Sequence, residues 1–517
     1  MSSDGLVAVC RSRSANYPVK PPFDPPEAYP EFSRERGTSD IDPTNDVYAC
    51  VRESFRLLQL DISNFARPSW NPLKSIVLPG NHVLIKPNWV SQGHHLDGSW
   101  EQIITHGAII RAVIDYVRLA LNGRGRISLA DGPMLSSDFG QIVRRSAIDE
   151  VMKYLGRIER TIESEVLDLR TTFLETRDDV VVRRHRLQGD PRGEVVVNLG
   201  ESSLFHGFEG EGRYYGADYD TEEVNNHHRG RVQEYKLSGT AMQADVIIDV
   251  PKLKTHQKVG VTLALKGIVG LNCGRNWLPH RTQGTPEQGG DQFADSRWKQ
   301  RCEYAVVKWF EEASLRHPNS VPVLYRLAKR LGKHIFGPTH RTIRGGGWYG
   351  NRTLWRMTLD VNRALMYSDR NGRLREQPTK RRFCIVDGIV AGEGMGPIYA
   401  EAKACGVIVA GRNPVAVDIV GAEAMGFDHE RIAMLQGAFS LHDFPLANFN
   451  STGINVVSNV PEWNGGLDAI RRAEPFRFVA PIGWKGQIER RAEALAVRAP
   501  AEASLLGNPS RGTAKTP

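Results

Sequence analysis

Cysteine is scarce and never closely paired. The six cysteines, Cys10, Cys50, Cys273, Cys302, Cys384 and Cys405, are scattered over 517 residues with no CxxC spacing. That spacing excludes a zinc ribbon, and no cysteine-ligated iron–sulfur cluster is expected; the pattern suits a reducing compartment. Long apolar runs are missing too. No stretch approaches the roughly 18 to 20 apolar residues that a spanning helix needs. The opening residues, MSSDGLVAVCRSRS, have too short an apolar core for a secretion signal and carry their arginines after it, so the expected location is cytoplasmic. There is no GxSxG elbow, no HExxH and no P-loop, which removes the serine-hydrolase, zincin and P-loop kinase readings.

What is present is ordinary globular material, 40% hydrophobic and 24% charged. The length calls for two or three domains. A net charge of +8 spread over 517 residues reads as a solvated basic surface suited to small anionic partners rather than as a nucleic-acid interface.

Alternation of strand-like and helix-like segments predicts an α/β fold: two lobes with mostly parallel sheets, plus a β-rich excursion and a helical insertion. Residues 1–45, with YPVKPPFDPPEAYPEF, read as an extended proline-rich leader. Residues 46–285 form the first α/β lobe. It opens with the helix DVYACVRESFRLLQL, capped by Asn45 or Asp46, and continues through the strand NHVLIKPNWV, the helix GAIIRAVIDYVRLAL and the strand GRISLADGP. Within it, about 165–240 is the β-rich excursion. Residues 286–350 are the helical insertion, 351–480 the second α/β lobe, and 481–517 a C-terminal helix and disordered tail. In the insertion, VPVLYRLAKRLGKHIFG places Leu324, Leu327, Leu331 and Ile335 on one stripe. That stripe either docks on the core or lies in a lipid headgroup layer, a peripheral membrane contact through 321–336.

The chemistry collects where strands end. After the buried-strand run ADVIIDV come Lys252, Lys254, His256 and Lys258, and then Lys266 within GVTLALKGIVG. In open α/β sheets ligands bind at the carboxyl ends of strands. A histidine there titrates near neutrality, and a lysine among apolar groups loses charge and gains nucleophilicity. His256 and Lys266 are therefore the candidate catalytic residues. Other strand ends contribute Lys86, Asn88, His94 and His95, then Asp131 and Ser136, then Asp387 and Glu393, then Asp418. The candidate substrate-binding set is Lys86, Asn88, Lys252, Lys254, Asp131, Asp387 and Glu393.

The segments VLIKPNWV, LADGP, ADVIIDVPKLKTHQKVGVTLALKGIVG, LDVNRAL, VDGIVAGEGMGP and NPVAVDIVGAEAMG occur in the order found in the domain-of-unknown-function 362 family, and the resemblance covers about residues 80–430. Some members of that family carry a fused ferredoxin module, whose cysteines this chain lacks. More distantly, the pattern H-x3-G-x5-K at His256, Gly260 and Lys266 resembles a motif of the nickel-pincer lactate racemases. That resemblance implies a proton-transferring histidine at His256, a covalently held nickel-pincer nucleotide at Lys266, and His280 as nickel ligand. The turn LADGPM lacks the second catalytic histidine of those enzymes, leaving His94, His95 or Asp131 as the other acid/base.

The resulting expectation is a two-lobed enzyme acting by acid/base chemistry on a small anionic or hydroxylated substrate, as in epimerisation or redox isomerisation. The alternatives are a non-catalytic binder of an anionic ligand, such as a nucleotide-sugar or lipid headgroup, and a metal-dependent hydrolase or transferase. The last would use Asp131, Asp387 and Asp418 with histidines, and it requires those carboxylates to share one pocket.

Overall fold

Apolar runs without polar alternation become strands covered on both faces. Val246–Val250 is buried along its whole length, because successive side chains enter two different cores. Ile247 joins one core and Val246 and Ile248 the other. The computed structural model describes residues 3–33, 40–295, 298–317, 321–336, 343 and 345–490.

One eleven-stranded sheet carries the fold. Its first four strands are β1 (Leu6–Arg11), β2 (His82–Pro87), β3 (Arg126–Asp131) and β4 (Glu163–Asp168). A separate hairpin follows, β5 (Thr172–Arg177) and β6 (Val180–Arg186). The sheet resumes with β7 (Val246–Val250), β8 (Lys252–His256), β9 (Gly260–Val261), β10 (Arg381–Met395), β11 (Tyr399–Gly411), β12 (Asn455–Ser458) and β13 (Gly465–Gly466). Across the sheet the order is β13-β12-β1-β11-β10-β7-β2-β3-β4, with β8 beside β10 and β9 beside β8. Most neighbours are parallel, as the α/β pattern predicts. The two expected α/β regions share this sheet: β7 of the first pairs in parallel with β10 of the second, Val246 opposite Arg381.

Helices cover both faces. On one side lie α1 (Asp46–Leu57), capped by Asn45, whose side chain accepts the Tyr48 N–H, and α2 (Gly107–Leu121). Further along come α3 (Leu263–Gly267), α4 (Trp298–Arg316), α5 (Val321–Phe336), α6 (Leu354–Tyr367) and α7 (Pro414–Ala424). Of these, α3, α6 and α7 pack on the opposite face.

The described part of the leader is better anchored than its composition suggests. β1 lies between β11 and β12, and Tyr17, Phe23 and Tyr29 are buried. The insertion is helical as expected, but Leu324 and Leu327 are 60% and 54% exposed, so they do not dock on the core. The side chains of Leu331 and Ile335, and the tail from 491 onward, lie outside the described residues.

A buried polar knot ties the layers together. The Tyr17 hydroxyl donates to Asp387 Oδ1 (2.5 Å), and Lys252 Nζ donates to Asp387 Oδ2 (2.9 Å) and to the Tyr17 hydroxyl (2.6 Å). The backbone N–H of His106, which caps α2, reaches Asp387 Oδ2 at 3.0 Å. Leader, helix and two strands thus meet on one carboxylate. Removing it leaves a lysine buried without its counter-charge. Asp387→Ala is expected to cost about 3–5 kcal/mol in urea unfolding, and Tyr17→Phe about 1 kcal/mol.

Candidate functional site

The sheet opens at Pro251. β7 pairs with β2 as far as Val250 opposite Pro87, and beyond the proline β8 leaves β2 and keeps the pairing with β10, Lys252 opposite Asp387. From β2 the chain leads to β3 and β4 on one side, and from β7 to β8 and β10 on the other. Such a reversal leaves a crevice at the carboxyl ends of the strands. A cavity of about 410 Å³ lies there, lined from β2 by Lys86 and Asn88, after β3 by Asp131 and Ser136, and around β8 and α3 by His256 and Lys266.

The local backbone is built to present these groups. Gly260, at φ +85°, turns the chain from β8 into β9, against the Trp484 ring. Leu263 takes a left-handed φ of +48° at the first residue of α3, a conformation a leucine holds only when its surroundings impose it. Three side chains supply that constraint. Asp418 on α7 accepts the N–H groups of Ala264 (2.8 Å) and Leu265 (2.9 Å). Asn362 on α6 donates to the Leu265 carbonyl at 2.8 Å. Arg382 joins Asp249, Asn362 and the Ala264 carbonyl. Lys266 is thereby fixed on a short clamped helix. Beyond it Gly270 presses on the cavity floor, where a Cβ would meet Asp131 Oδ1 and lie 3.0 Å from Lys86 Nζ.

Charge is strongly one-sided. Lys86, Lys258, Lys266, Arg275 and Arg281 line the cavity with His256 and His280, against a single carboxylate, Asp131. Lys86 Nζ lies 3.1 Å from Asp131 Oδ2, and the carboxylate also accepts the N–H groups of Trp89 and Gly132. Burial, aided by Arg275 and Lys86, lowers the pKa of Lys266 to about 7. Lys258 falls to about 7 through burial and the nearby Arg281. Burial also lowers Arg275 and Arg281. Asn88 Oδ1 and the Nε atoms of both arginines are buried without a hydrogen-bond partner, so the walls hold polar valence for a ligand.

The two imidazoles have opposite tautomers. His256 Nδ1 accepts the Lys258 N–H at 3.1 Å, which puts the ring proton on Nε2. His280 Nδ1 lies 2.7 Å from the Leu278 carbonyl and must donate to it, which leaves the Nε2 lone pair free. Burial first, and then the neighbouring lysines, push both pKa values well below the ordinary imidazole range, so both rings are neutral at pH 7.

The cavity therefore gathers His256, Lys266, Lys86, Asn88, Asp131 and His280 of the sequence-derived set, together with Ser136. Lys252 and Asp387 belong to the buried knot. Lys254 Nζ donates to the Ile103 carbonyl at 2.5 Å, a buried strand-side contact. Glu393 accepts from Lys403 (2.9 Å) and the Val479 N–H (2.8 Å). Asp418 caps α3, and burial pushes its pKa up to about 8. Asp131, Asp387 and Asp418 therefore do not share a pocket, and the hydrolase or transferase arrangement built on them is not present. His94 and His95 pack against Tyr399 rather than lining the cavity. Lys258, Arg275 and Arg281 complete the site but lay outside the expected set. Arg281 follows His280 directly in LPHRT, the one local signal that could have drawn it in.

A half-buried lysine with a depressed pKa weakens the fold. In the unfolded chain Lys266 holds its proton up to about its ordinary 10.5, in the fold only below about 7. Folding releases that proton between these values, so stability rises with pH across the window. Lys266→Met is expected to stabilise the protein by about 2–4 kcal/mol at pH 7, with the gain shrinking toward pH 10, as read by urea unfolding at both pH values. Gly270→Ala is expected to displace the Lys86–Asp131 pair, lowering stability by about 1–3 kcal/mol in the same assay.

No curated protein and no solved structure matches the chain. A family model matches residues 83–176 and 180–423, spans that include every residue lining the cavity. The chain thus belongs to the family described as a domain of unknown function, DUF362.

Proposed function

We propose that this chain is an enzyme that binds a small polyanionic substrate, carrying phosphate or carboxylate, and moves a proton on it, as an epimerase or isomerase does. The observation that carries this reading is the excess of five cations and two imidazoles over one carboxylate in a half-open cavity. A buried like-charge cluster is costly to maintain without a counter-ion, and it is the arrangement that captures one.

The roles follow from protonation state. Arg275, Arg281 and Lys258 hold the anionic group. Lys266, with a pKa of about 7, is neutral in an appreciable fraction at neutral pH and takes the proton from the substrate carbon. Neutral His256 offers Nε2–H to the oxygen on which negative charge develops, donating a hydrogen bond without giving up its proton. The Nε2 lone pair of His280 is a second acceptor in the same cavity.

The nickel-pincer nucleotide implied by the more distant resemblance is compatible with part of this donor set. Lys266 would attach it, His280 Nε2 would ligate the metal with its Nδ1–H held by a backbone carbonyl, and the cations would hold its phosphate. Bound there, that group would supply redox chemistry at the substrate carbon. The second histidine of those racemases has no counterpart, because Met134 stands in the cavity wall at LADGPM.

The test is proton exchange. The full chain is incubated in D2O with phosphorylated and carboxylated hydroxy compounds, and NMR reads deuterium entering the substrate. Exchange is expected with at least one compound, abolished in Lys266→Met and slowed about 10²-fold in His256→Ala. Because capture needs protonated Lys258 and abstraction needs neutral Lys266, the rate is expected to peak near pH 7 and fall on either side. Calorimetric binding of pyrophosphate without exchange in any compound would leave a binding protein instead.

A further inference from the structure

The cations of the cavity fall into two groups. Arg275 belongs to the sheet: its Nη1 and Nη2 donate to the carbonyl oxygens of Val269 (3.2 Å) and Pro133 (3.5 Å). A Cβ on Gly132, the residue after β3, would come within 2.9 Å of Nη2. The carboxylates and guanidinium that act on Arg275 are Asp131 and Asp168, which end β3 and β4, and Arg170 just beyond. Arg281 belongs to a different wall. Its guanidinium lies 4.5 Å over the Tyr215 ring, the residue opposite it in a short antiparallel ladder, and it feels Glu311 of α4 and Asp291. The two arginines share none of these neighbours.

The lysines divide in the same way. Beyond burial, the charge acting most on Lys266 is that of Arg275, and on Lys258 that of Arg281. His256 and His280 each feel both lysines, which sets the imidazoles between the two groups. Lys86 is matched by Asp131 at 3.1 Å. Among the described residues, Lys258, Lys266, Arg275 and Arg281 have no carboxylate at ion-pair distance, and all four are only half-buried, open to a ligand. The void of about 410 Å³ is also far more than one phosphate fills, water taking only about 30 Å³ in the liquid. Val90, Leu174, Val269 and Ile398 give it apolar wall, which suits carbon rather than further ions.

We propose that the substrate carries an anionic group at each end of a short carbon chain: a phosphate held by Arg281 and Lys258, and a carboxylate held by Arg275. The reacting carbon then lies between them, beside Lys266 and His256. This rests on reading the cavity as the substrate site. Two cations in one group match the double charge of a phosphate. In the other group Asp131 offsets Lys86 and Lys266 is reserved for the proton, which leaves one guanidinium for one carboxylate. Tethered ends bind more tightly than separate ones, because the second contact is intramolecular.

The experiment is calorimetric titration of the full chain at pH 7 with three probes. 3-Phosphoglycerate has both ends, glycerol 3-phosphate lacks the carboxylate, and glycerate lacks the phosphate. The two-ended probe is expected to bind at least about tenfold more tightly than either of the others. Arg275→Gln should bring 3-phosphoglycerate down to the affinity of glycerol 3-phosphate and leave the latter unchanged. Arg281→Gln should weaken both phosphates and spare glycerate, and Lys258→Gln, in a turn, should do the same if the arginine variant fails to fold. The proposal is overturned if 3-phosphoglycerate binds no more tightly than glycerol 3-phosphate, or if Arg275→Gln weakens both alike, as a single anion site would require. Binding is read without turnover. Deuterium exchange from single-ended compounds with no advantage for the two-ended probe would sink this proposal and leave the enzyme reading, whereas two-ended binding without exchange would do the reverse.

Discussion

Pro251 has no N–H to donate, and the sheet divides at that residue. Upstream, β7 is an interior strand with a neighbour on each side. Downstream the chain keeps β10 and abandons β2, so the ends of β2 and β3 stand clear of β8. Across the crevice between them His256, at the end of β8, lines one cavity with Lys86 and Asp131. A strand that continued straight would have placed those groups in a closed ladder. The knot on Asp387 makes the divergence affordable, since it holds β8, β10, α2 and the leader together across the parting.

Around the crevice the chain keeps an arrangement that folding alone would avoid. Lysines and arginines are crowded together and half withdrawn from water, and that burial moves two of the lysines to near-neutral pKa values. The framework that tolerates this comes from residues that never touch the cavity. Asp418, Asn362 and Arg382 hold α3 by its backbone, and Leu263 keeps a left-handed φ under their constraint. Strain and like charge are concentrated in one place and the scaffolding is spread over three elements, which is how proteins sustain a poised site.

The α/β class was readable from hydrophobic periodicity, because strands covered on both faces and amphipathic helices have different periods. Lys86, Asp131 and His256 were readable because each stands at the carboxyl end of a strand, and Lys266 because it is a lone lysine in the apolar segment that follows. Lys252 and Lys254 were misplaced at the rim for a physical reason. A lysine in a strand reads as exposed unless its acceptors are known, and theirs come from Tyr17, Asp387 and Ile103, far away in sequence. Lys258 sits in a turn, Arg275 opens a single 3-10 turn and Arg281 begins a two-residue strand, elements too short to carry a periodic signal. Of the stripe expected on α5, Leu324 and Leu327 stand outward, and that orientation goes with two aspartates at the β5–β6 turn that no local pattern reveals.

That turn joins two parts of the molecule. Arg326 and Lys329 grip it from α5, while Leu174 and Thr176 of the adjoining β5 form part of the cavity wall. On the neighbouring helix, Glu311 feels the charge of Arg281, which lines the same cavity. What happens at the outer helices and what happens at the cavity therefore share mechanical and electrostatic parts. Two binding events that bias the same element are thermodynamically linked, and the linkage is reciprocal. If filling the cavity shifts the hairpin, then any change in how α5 grips that turn must alter the affinity inside by the same factor.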